Sequence, residues 1–302
     1  MRVFLTCGTG FIGTHLVTAL LEAGDAITVF ARDPRTMPAS LRARVAVVSG
    51  RLDDLGAVRD AVRGHDACIH NALVWRDDDP MGVEDVRAST TVFLAAAEAG
   101  VEQLVYTSST AVHKPYTAHM DETMRLAPTD AYGAAKASNE LFLGAISWQS
   151  KMRCNIVRPG PTVGGPSAEG ARVVPYPLIR ELLERARRGD DLIVGKDEGR
   201  QFVAARELAQ VYVRLLRAGV NRQTYLAVAR EVVTWEELAR MAVAATGSRS
   251  RVVVEERGGT PFVFDTGKLE RELGLVLGAR GAIAEDLATA VSTSTAMSGT
   301  PG

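Results

Sequence analysis

The sequence predicts an α/β fold: a doubly wound parallel sheet with a smaller α/β unit C-terminal to it. Three observations predict this. Short apolar, β-branched runs recur at residues 3–5, 27–30, 45–48, 67–70 and 104–107. Helical patterns separate most of them, at 12–23, 55–63 and 83–99. The first run ends in a glycine-rich turn that opens the first helix. Short apolar strands that alternate with helices pair in parallel and are buried on both faces.

The turn reads Thr6, Cys7, Gly8, Thr9, Gly10, Phe11, Ile12, Gly13. A helix N-terminus offers free N–H groups and the positive end of a dipole, so a pyrophosphate can sit there. Glycines let the backbone approach the phosphates and let the helix pack on the strand. The same spacing also serves as a plain strand-to-helix turn. Its place on the first strand of an alternating pattern favours a Rossmann-type dinucleotide site. At the end of the second strand stand Ala31, Arg32, Asp33, Pro34 and Arg35. An acid at the strand end would bind ribose hydroxyls and select NAD, whereas a base would pair with the 2′-phosphate of NADP. With Ala31 there, followed by Arg32 and Arg35, NADP(H) is favoured; Asp33 keeps NAD(H) open.

Beyond the fifth strand a helix is predicted over 132–148 and a strand over 155–158. The helix opens with Tyr132 and Lys136, whose i, i+4 spacing puts both on one face. A free phenol has a pKa near 10, and a neighbouring ammonium lowers it. The pair therefore suits proton exchange in an alcohol–ketone interconversion. Just upstream, Ser108, Ser109 and Thr110 end a strand, where one hydroxyl could hold a substrate oxygen. Strand-end hydroxyls also bond the backbone, and at least two of these three are expected to do only that.

Residues 159–170, rich in Gly and Pro, should leave the sheet. Helices follow at 178–188, 207–218 and 234–246, the last announced by the capping spacing of Thr234 and Glu237. The expected organisation is a dinucleotide-binding domain over 1–160, with returning segments near 200–228. A mainly substrate-binding domain covers 161–291, and 292–302 is a small, polar, disordered tail.

The 302 residues are 46% hydrophobic and 24% charged, which excludes a disordered or fibrous chain. Thirty-five basic residues against 36 acidic ones leave a net charge of −1, without the cationic surplus of a nucleic-acid binder. No apolar run reaches the roughly 20 residues of a membrane span. Cys7, Cys68 and Cys154 are odd in number and show no CxxC spacing. A cytoplasmic enzyme with reduced thiols and no metal is expected.

Taken together and in order, the motifs resemble the extended short-chain dehydrogenase/reductase family, in its branch of NDP-sugar epimerases, dehydratases and ketoreductases. The resemblance runs from Met1 to about Ala290. It rests on the glycine turn at 6–13, DACIHNA at 66–72, YTSSTAV at 106–112 and DET at 121–123. It continues through YGAAK at 132–136, RPGPTVGGP at 158–166, GRQFVAARELA at 199–209 and DTGKL at 265–269.

The resemblance implies that Tyr132 is the acid/base, that Lys136 binds the nicotinamide ribose and tunes Tyr132, and that Ser109 orients the substrate oxygen. It places Gly8, Gly10, Phe11, Ile12, Gly13, Leu52, Asn71, Ala72 and Pro159 at the cofactor, with Arg32 and Arg35. Thr110, Arg200 and Arg257 fall to the substrate, the two arginines on a nucleotide diphosphate. Several positions depart from the family: Cys7 replaces the first loop glycine, Arg51 an Asp near the adenine, Asp85 an Asn and His113 a Tyr. Thr110, Ala111 and Val112 follow Ser109 where a dehydratase carries an Asp-Glu pair, which disfavours dehydration.

The expected activity is an NADPH-dependent ketoreductase of an NDP-keto-deoxysugar or a similar carbonyl compound. The alternatives are an NDP-sugar epimerase with retained NAD and a non-catalytic dinucleotide-binding regulator. A homodimer through the helices at 83–99 and 132–148 is allowed, although packing on their own sheet explains the same apolar pattern.

Overall fold

The structure, a computed structural model, describes residues 1–256 and 261–298, with side chains as far as 291. The chain opens with β1 (Arg2–Thr6), α1 (Phe11–Glu22), β2 (Ala26–Ala31), α2 (Ala39–Arg42), β3 (Ala46–Ser49), α3 (Leu55–Val62) and β4 (Ala67–His70). Next come α4 (Val83–Glu98), β5 (Gln103–Thr107), β6 (His119–Met120), α5 (Ala131–Gln149) and β7 (Arg153–Pro159). Short strands β8 (Thr162–Val163), β9 (Leu192–Gly195), β10 (Gly199–Arg200) and β11 (Val203–Ala204) are interleaved with α6 (Pro177–Arg188). The rest comprises α7 (Ala205–Leu215), β12 (Thr224–Ala227), β13 (Val233–Thr234), α8 (Trp235–Thr246), β14 (Val252–Glu255), β15 (Val263–Phe264), α9 (Gly267–Leu273) and α10 (Arg280–Ser298).

Seven strands form one parallel sheet in the order β3-β2-β1-β4-β5-β7-β12. The order reverses between β1 and β4, the place where open α/β sheets bind ligands beyond the carboxyl ends of their strands. Two apolar layers sandwich the sheet. On one face α1 and α7 bring Leu16, Leu20, Leu208 and Tyr212 onto β1, β2 and β12. On the other, Val58, Phe93 and Leu143 from α3, α4 and α5 pack on Phe4, Phe30 and Tyr106. A separate cluster joins α6, α8 and α10 around Leu182, Phe202, Leu238 and Ile283.

The predicted strands and the long helices are present, with shifts at their ends. Glu237 N donates to Thr234 Oγ1 at 3.1 Å, as the capping spacing predicts. The Glu237 carboxylate does not reach back to the cap; it receives Arg280 instead. Two features differ from the sequence reading. The seventh strand, β12, has no counterpart in it. α10 also runs to Ser298, across most of the stretch read as a disordered tail. A helix already nucleated extends at one hydrogen bond per residue.

Candidate active site

The glycine turn closes on itself: Gly10 N donates to Cys7 O at 3.2 Å and Thr14 N to Gly10 O at 2.9 Å. Cys7 has φ +57°, the left-handed conformation that glycine adopts without cost, so the departure from glycine leaves the turn in place. Gly8 abuts Val29, where a Cβ would come within 2.7 Å of its side chain. Phe11 is buried, and Ile12 packs on the main core. Burial raises the pKa of the Cys7 thiol, and the charges of Arg32, Arg172 and Lys136 act against that rise. Arg172, on the loop after β8, carried no signal in the sequence.

Arg32, just beyond β2, is exposed. Arg35 is differently placed: both its Nε and its Nη2 donate to the Asp33 carboxylate at 2.9 Å. That fork neutralises much of the Arg35 charge, and Asp33 is held down to a pKa of about 2 by it. At the switch point, Asn71 N and Ala72 N both donate to Thr6 Oγ1, at 3.1 and 3.2 Å. Asn71 Oδ1 is buried without a partner among the described residues. Pro159 is buried at the end of β7, and Leu52 is half-buried against the α3–α4 layer. A tight turn at a helix N-terminus and an orphaned acceptor fit a dinucleotide.

The chemistry centre is built by the start of α5. Asp130 caps it: Oδ1 accepts from Gly133 N at 2.7 Å, and Oδ2 accepts from Lys114 Nζ at 2.6 Å. This fixes Tyr132 in the first turn, with the Trp75 ring edge-on at 6.1 Å between centroids. Ser109 Oγ accepts from Ala111 N at 3.1 Å, and Ser109 is the neighbour that favours ionisation of the Tyr132 phenol. Thr110 is buried in the single turn that follows, and Ser108 donates to Glu140. Of the three hydroxyls, Ser109 is the one at the phenol.

Lys136 is 3% exposed, with Nζ 5.2 Å from the Tyr106 ring centroid and 6.0 Å from that of Tyr132. Nζ donates to Thr107 O at 3.4 Å and lies 3.7 Å from Asp85 Oδ2. Burial lowers the Lys136 pKa, and Asp85 opposes the fall. The sequence predicts that Lys136 lowers the Tyr132 pKa. In the structure that pKa is raised, because burial outweighs the effect of Ser109.

Asp85 is the main residue that sequence reasoning missed here. It is 1% exposed; Oδ1 accepts from Val74 N at 2.8 Å and Oδ2 from Asn139 Nδ2 at 3.1 Å. Its replacement of a family asparagine was the available signal. His70 is also buried, between Thr6 Oγ1 at 2.9 Å and Ser89 Oγ at 3.0 Å, and burial lowers its pKa to about 3. Behind them Arg158 clasps Glu140 through Nε and Nη2, at 3.0 and 2.7 Å, and contacts His113 Nε2 at 3.1 Å. His113 is thereby an element of the buried support.

Arg200 is half-buried beside the paired rings of Tyr116 and Phe262, whose centroids are 4.5 Å apart, with Cζ 5.5 Å from each. Its Nε has no partner among the described residues. Arg257 lies outside the described residues. Among those described, no group of His, Cys, Asp and Glu could hold a metal, and no helix is long and apolar enough to cross a membrane.

The family model of the NAD dependent epimerase/dehydratase family matches residues 3–227. The chain is 28% identical over 214 residues to a 3 beta-hydroxysteroid dehydrogenase/Delta 5-->4-isomerase of Mycobacterium tuberculosis, covering 66% of this chain and 55% of that protein. This chain therefore spans about half the length of that relative. It is 27% identical over 301 residues to a dTDP-glucose 4,6-dehydratase of Streptomyces niveus, covering 91% and 87%. A crystal structure of a UDP-glucose 4-epimerase superposes with a TM-score of 0.82 at 18% identity, over 97% of this chain and 98% of that one.

Proposed function

Because the chain belongs to the NAD dependent epimerase/dehydratase family, the extended short-chain dehydrogenase/reductases, we propose that it is an NADPH-dependent ketoreductase acting on a nucleotide-linked keto sugar or a similar carbonyl compound. The observation that carries this reading is the Ser109–Tyr132–Lys136 cluster at the carboxyl end of β5, beside a dinucleotide turn. When bound, the dihydronicotinamide supplies a hydride to the carbonyl carbon. Ser109 orients the carbonyl oxygen, and the Tyr132 phenol gives that oxygen its proton. A phenol held above its ordinary pKa stays protonated at neutral pH, as a proton donor must. Lys136 lies beside Tyr132 and would reach the ribose.

Gly8, Gly10 and Gly13 would hold the pyrophosphate, Arg32 the 2′-phosphate, and Asn71, Ala72 and Pro159 the remaining dinucleotide. Arg35 contributes less, since Asp33 already holds it. Arg200 supports the nucleotide reading. Its planar cation lies against one side of the Tyr116–Phe262 pair, and its Nε has no partner among the described residues, which suits a diphosphate. Exposed Leu94, Leu141, Phe142 and Trp148 on α4 and α5 support a homodimer through those helices.

The test is incubation with NADPH and a panel of NDP-4-keto-6-deoxysugars while nicotinamide absorbance is followed. Oxidation of NADPH that needs both enzyme and keto sugar supports the reading. Interconversion of an NDP-sugar with no net cofactor turnover, by protein purified with NAD attached, would move it to an epimerase.

A further inference from the structure

Asp85 accepts a hydrogen bond at each carboxylate oxygen, from Val74 N and Asn139 Nδ2, and brings a negative charge 3.7 Å from the Lys136 ammonium, with both groups removed from solvent. We propose that Asp85 is a positioning residue of the proton-transfer centre: its carboxylate, fixed by Val74 and Asn139, holds Lys136 and offsets its charge, so that Tyr132 remains a phenol and acts as proton donor. The proposal rests on the reductase reading and deepens it. Carbonyl reduction starts from a protonated phenol; an epimerase's first oxidation starts from a phenolate.

The charge arrangement supports the assignment. Asp85 and Asp130 both act to keep Tyr132 protonated, with Tyr116, while Ser109 acts the other way. Asp130 is engaged by Lys114 on the far side of the α5 cap. Asp85, Cys7 and Glu140 favour the charged form of Lys136. Glu140 is committed to Arg158 at 2.7 Å, Cys7 stays a thiol, and His70 on β4 is neutral. Tyr106 on β5 presents its ring to the ammonium, and its own hydroxyl accepts from Asn139 at 2.9 Å. Among the described residues, Asp85 is therefore the acid whose charge is set against Lys136 without another cation to share it. An ammonium freed of that partner would act in full on the phenol beside it.

The experiment is an ultraviolet titration of phenolate in the full-length protein, with the Tyr132→Phe variant of each background subtracted. Asp85→Asn should lower the Tyr132 midpoint by about one pH unit or more, a tenfold larger acid constant. The fold should tolerate it: the new side chain keeps the oxygen that Val74 N needs, and once the Asn139 amide turns over the new amide can donate to Asn139 Oδ1, which lacks a partner among the described residues. Asp85→Asn combined with Lys136→Met removes both charges and should return the midpoint toward that of the wild type. An unchanged or higher midpoint in Asp85→Asn would overturn the proposal. So would a double variant that keeps the lowered midpoint, since the effect would then not pass through Lys136. If the wild type reduces no carbonyl compound, the reductase reading falls, while this titration still decides the role of Asp85.

Discussion

A Cβ placed on Gly13 would stand 1.9 Å from the carbonyl oxygen of Cys7. That distance is far inside van der Waals contact, and the atom it meets is backbone, which cannot turn aside as a side chain can. The turn before α1, proposed to hold a pyrophosphate, therefore exists only because α1 has no side chain at that position.

Gly13→Ala should destabilise the protein by about 2 kcal/mol or more and abolish dinucleotide binding. Gly144 in α5 is the control, since a Cβ there meets nothing within 4 Å. Gly144→Ala should raise stability by up to about 1 kcal/mol, the helix-propensity difference. Urea unfolding of both variants, with dinucleotide binding read by fluorescence, checks the pair. A Gly13→Ala protein that binds cofactor normally would remove the turn from the site.

Arg32 should set cofactor choice. A charge-assisted pair with phosphate contributes roughly 1.5–3 kcal/mol, about one to two decades in affinity. Arg32→Ala should weaken NADPH by that factor and leave NADH nearly unchanged. Arg35→Ala should do less, because the Asp33 fork already occupies that guanidinium. Equal losses for both cofactors in an Arg32→Ala titration would count against the NADP assignment.

These two predictions mark where the sequence was readable. Glycine spacing, apolar period and the i, i+4 pair are local signals, and they locate β1, α1, β5 and α5 with the residues they carry. β12 escaped because four residues are too few to show a period, and its place comes from pairing with β7, nearly 70 positions away. Arg35 looked like a phosphate ligand because strand-end position is legible and the side-chain fork to Asp33 is not. Asp85 reads as an acid complementing the N-terminus of α4. Its burial against Lys136 depends on how α4 and α5 pack, which no local pattern states. The Tyr132 shift was missed for the same reason, since it arises from burial.

Arg200 should act on substrate rather than on cofactor. Arg200→Ala should raise the Michaelis constant for a nucleotide sugar by about ten- to a hundredfold, the worth of one charged hydrogen-bonded pair. Its effect on NADPH should be small, since Arg200 lies beside Tyr116 and Phe262 and not at the glycine turn. Steady-state kinetics with each ligand varied in turn checks this. Unchanged constants for both would leave the nucleotide-sugar reading without its principal residue.

Stability should carry two opposed pH slopes. Asp286 on α10 is 2% exposed, neither carboxyl oxygen has a partner among the described residues, and burial raises its pKa to about 7. Between about pH 4 and 7 the folded state then holds a proton that the unfolded state has lost, so this group makes stability fall as pH rises. His113, with its pKa lowered to about 4 chiefly by burial, works the other way. From pH 4 to 6.5 the unfolded state binds the extra proton, so its contribution grows with pH. Asp286→Asn should raise the melting temperature at pH 8 and change it little at pH 4. A variant no more stable than the wild type at pH 8 would show that the carboxylate is solvated after all.

Tyr132 and Lys136 should separate by their effects. Tyr132→Phe removes one hydroxyl and keeps the ring against Trp75, so packing should survive. Loss of a general acid costs roughly a hundred- to ten-thousand-fold in turnover. Dinucleotide affinity should hardly move, because the phosphates belong to the turn from Gly8 to Gly13. Lys136→Ala should lower turnover and weaken the cofactor together, since its ammonium lies beside the phenol and is proposed to reach the ribose. It should also leave Asp85 as a buried carboxylate without its cation, a loss of about 3–5 kcal/mol when a buried pair is broken on one side. Thermal melting must therefore accompany the kinetics, and Lys136→Met, closer in volume, separates lost charge from lost packing. Single-turnover rates and NADPH dissociation constants for all three variants decide the matter. A Tyr132→Phe enzyme that keeps most of its rate would show that the proton comes from another group. Since His113 is held neutral against Arg158, a solvent-derived proton delivered at Ser109 would then be the first alternative to examine.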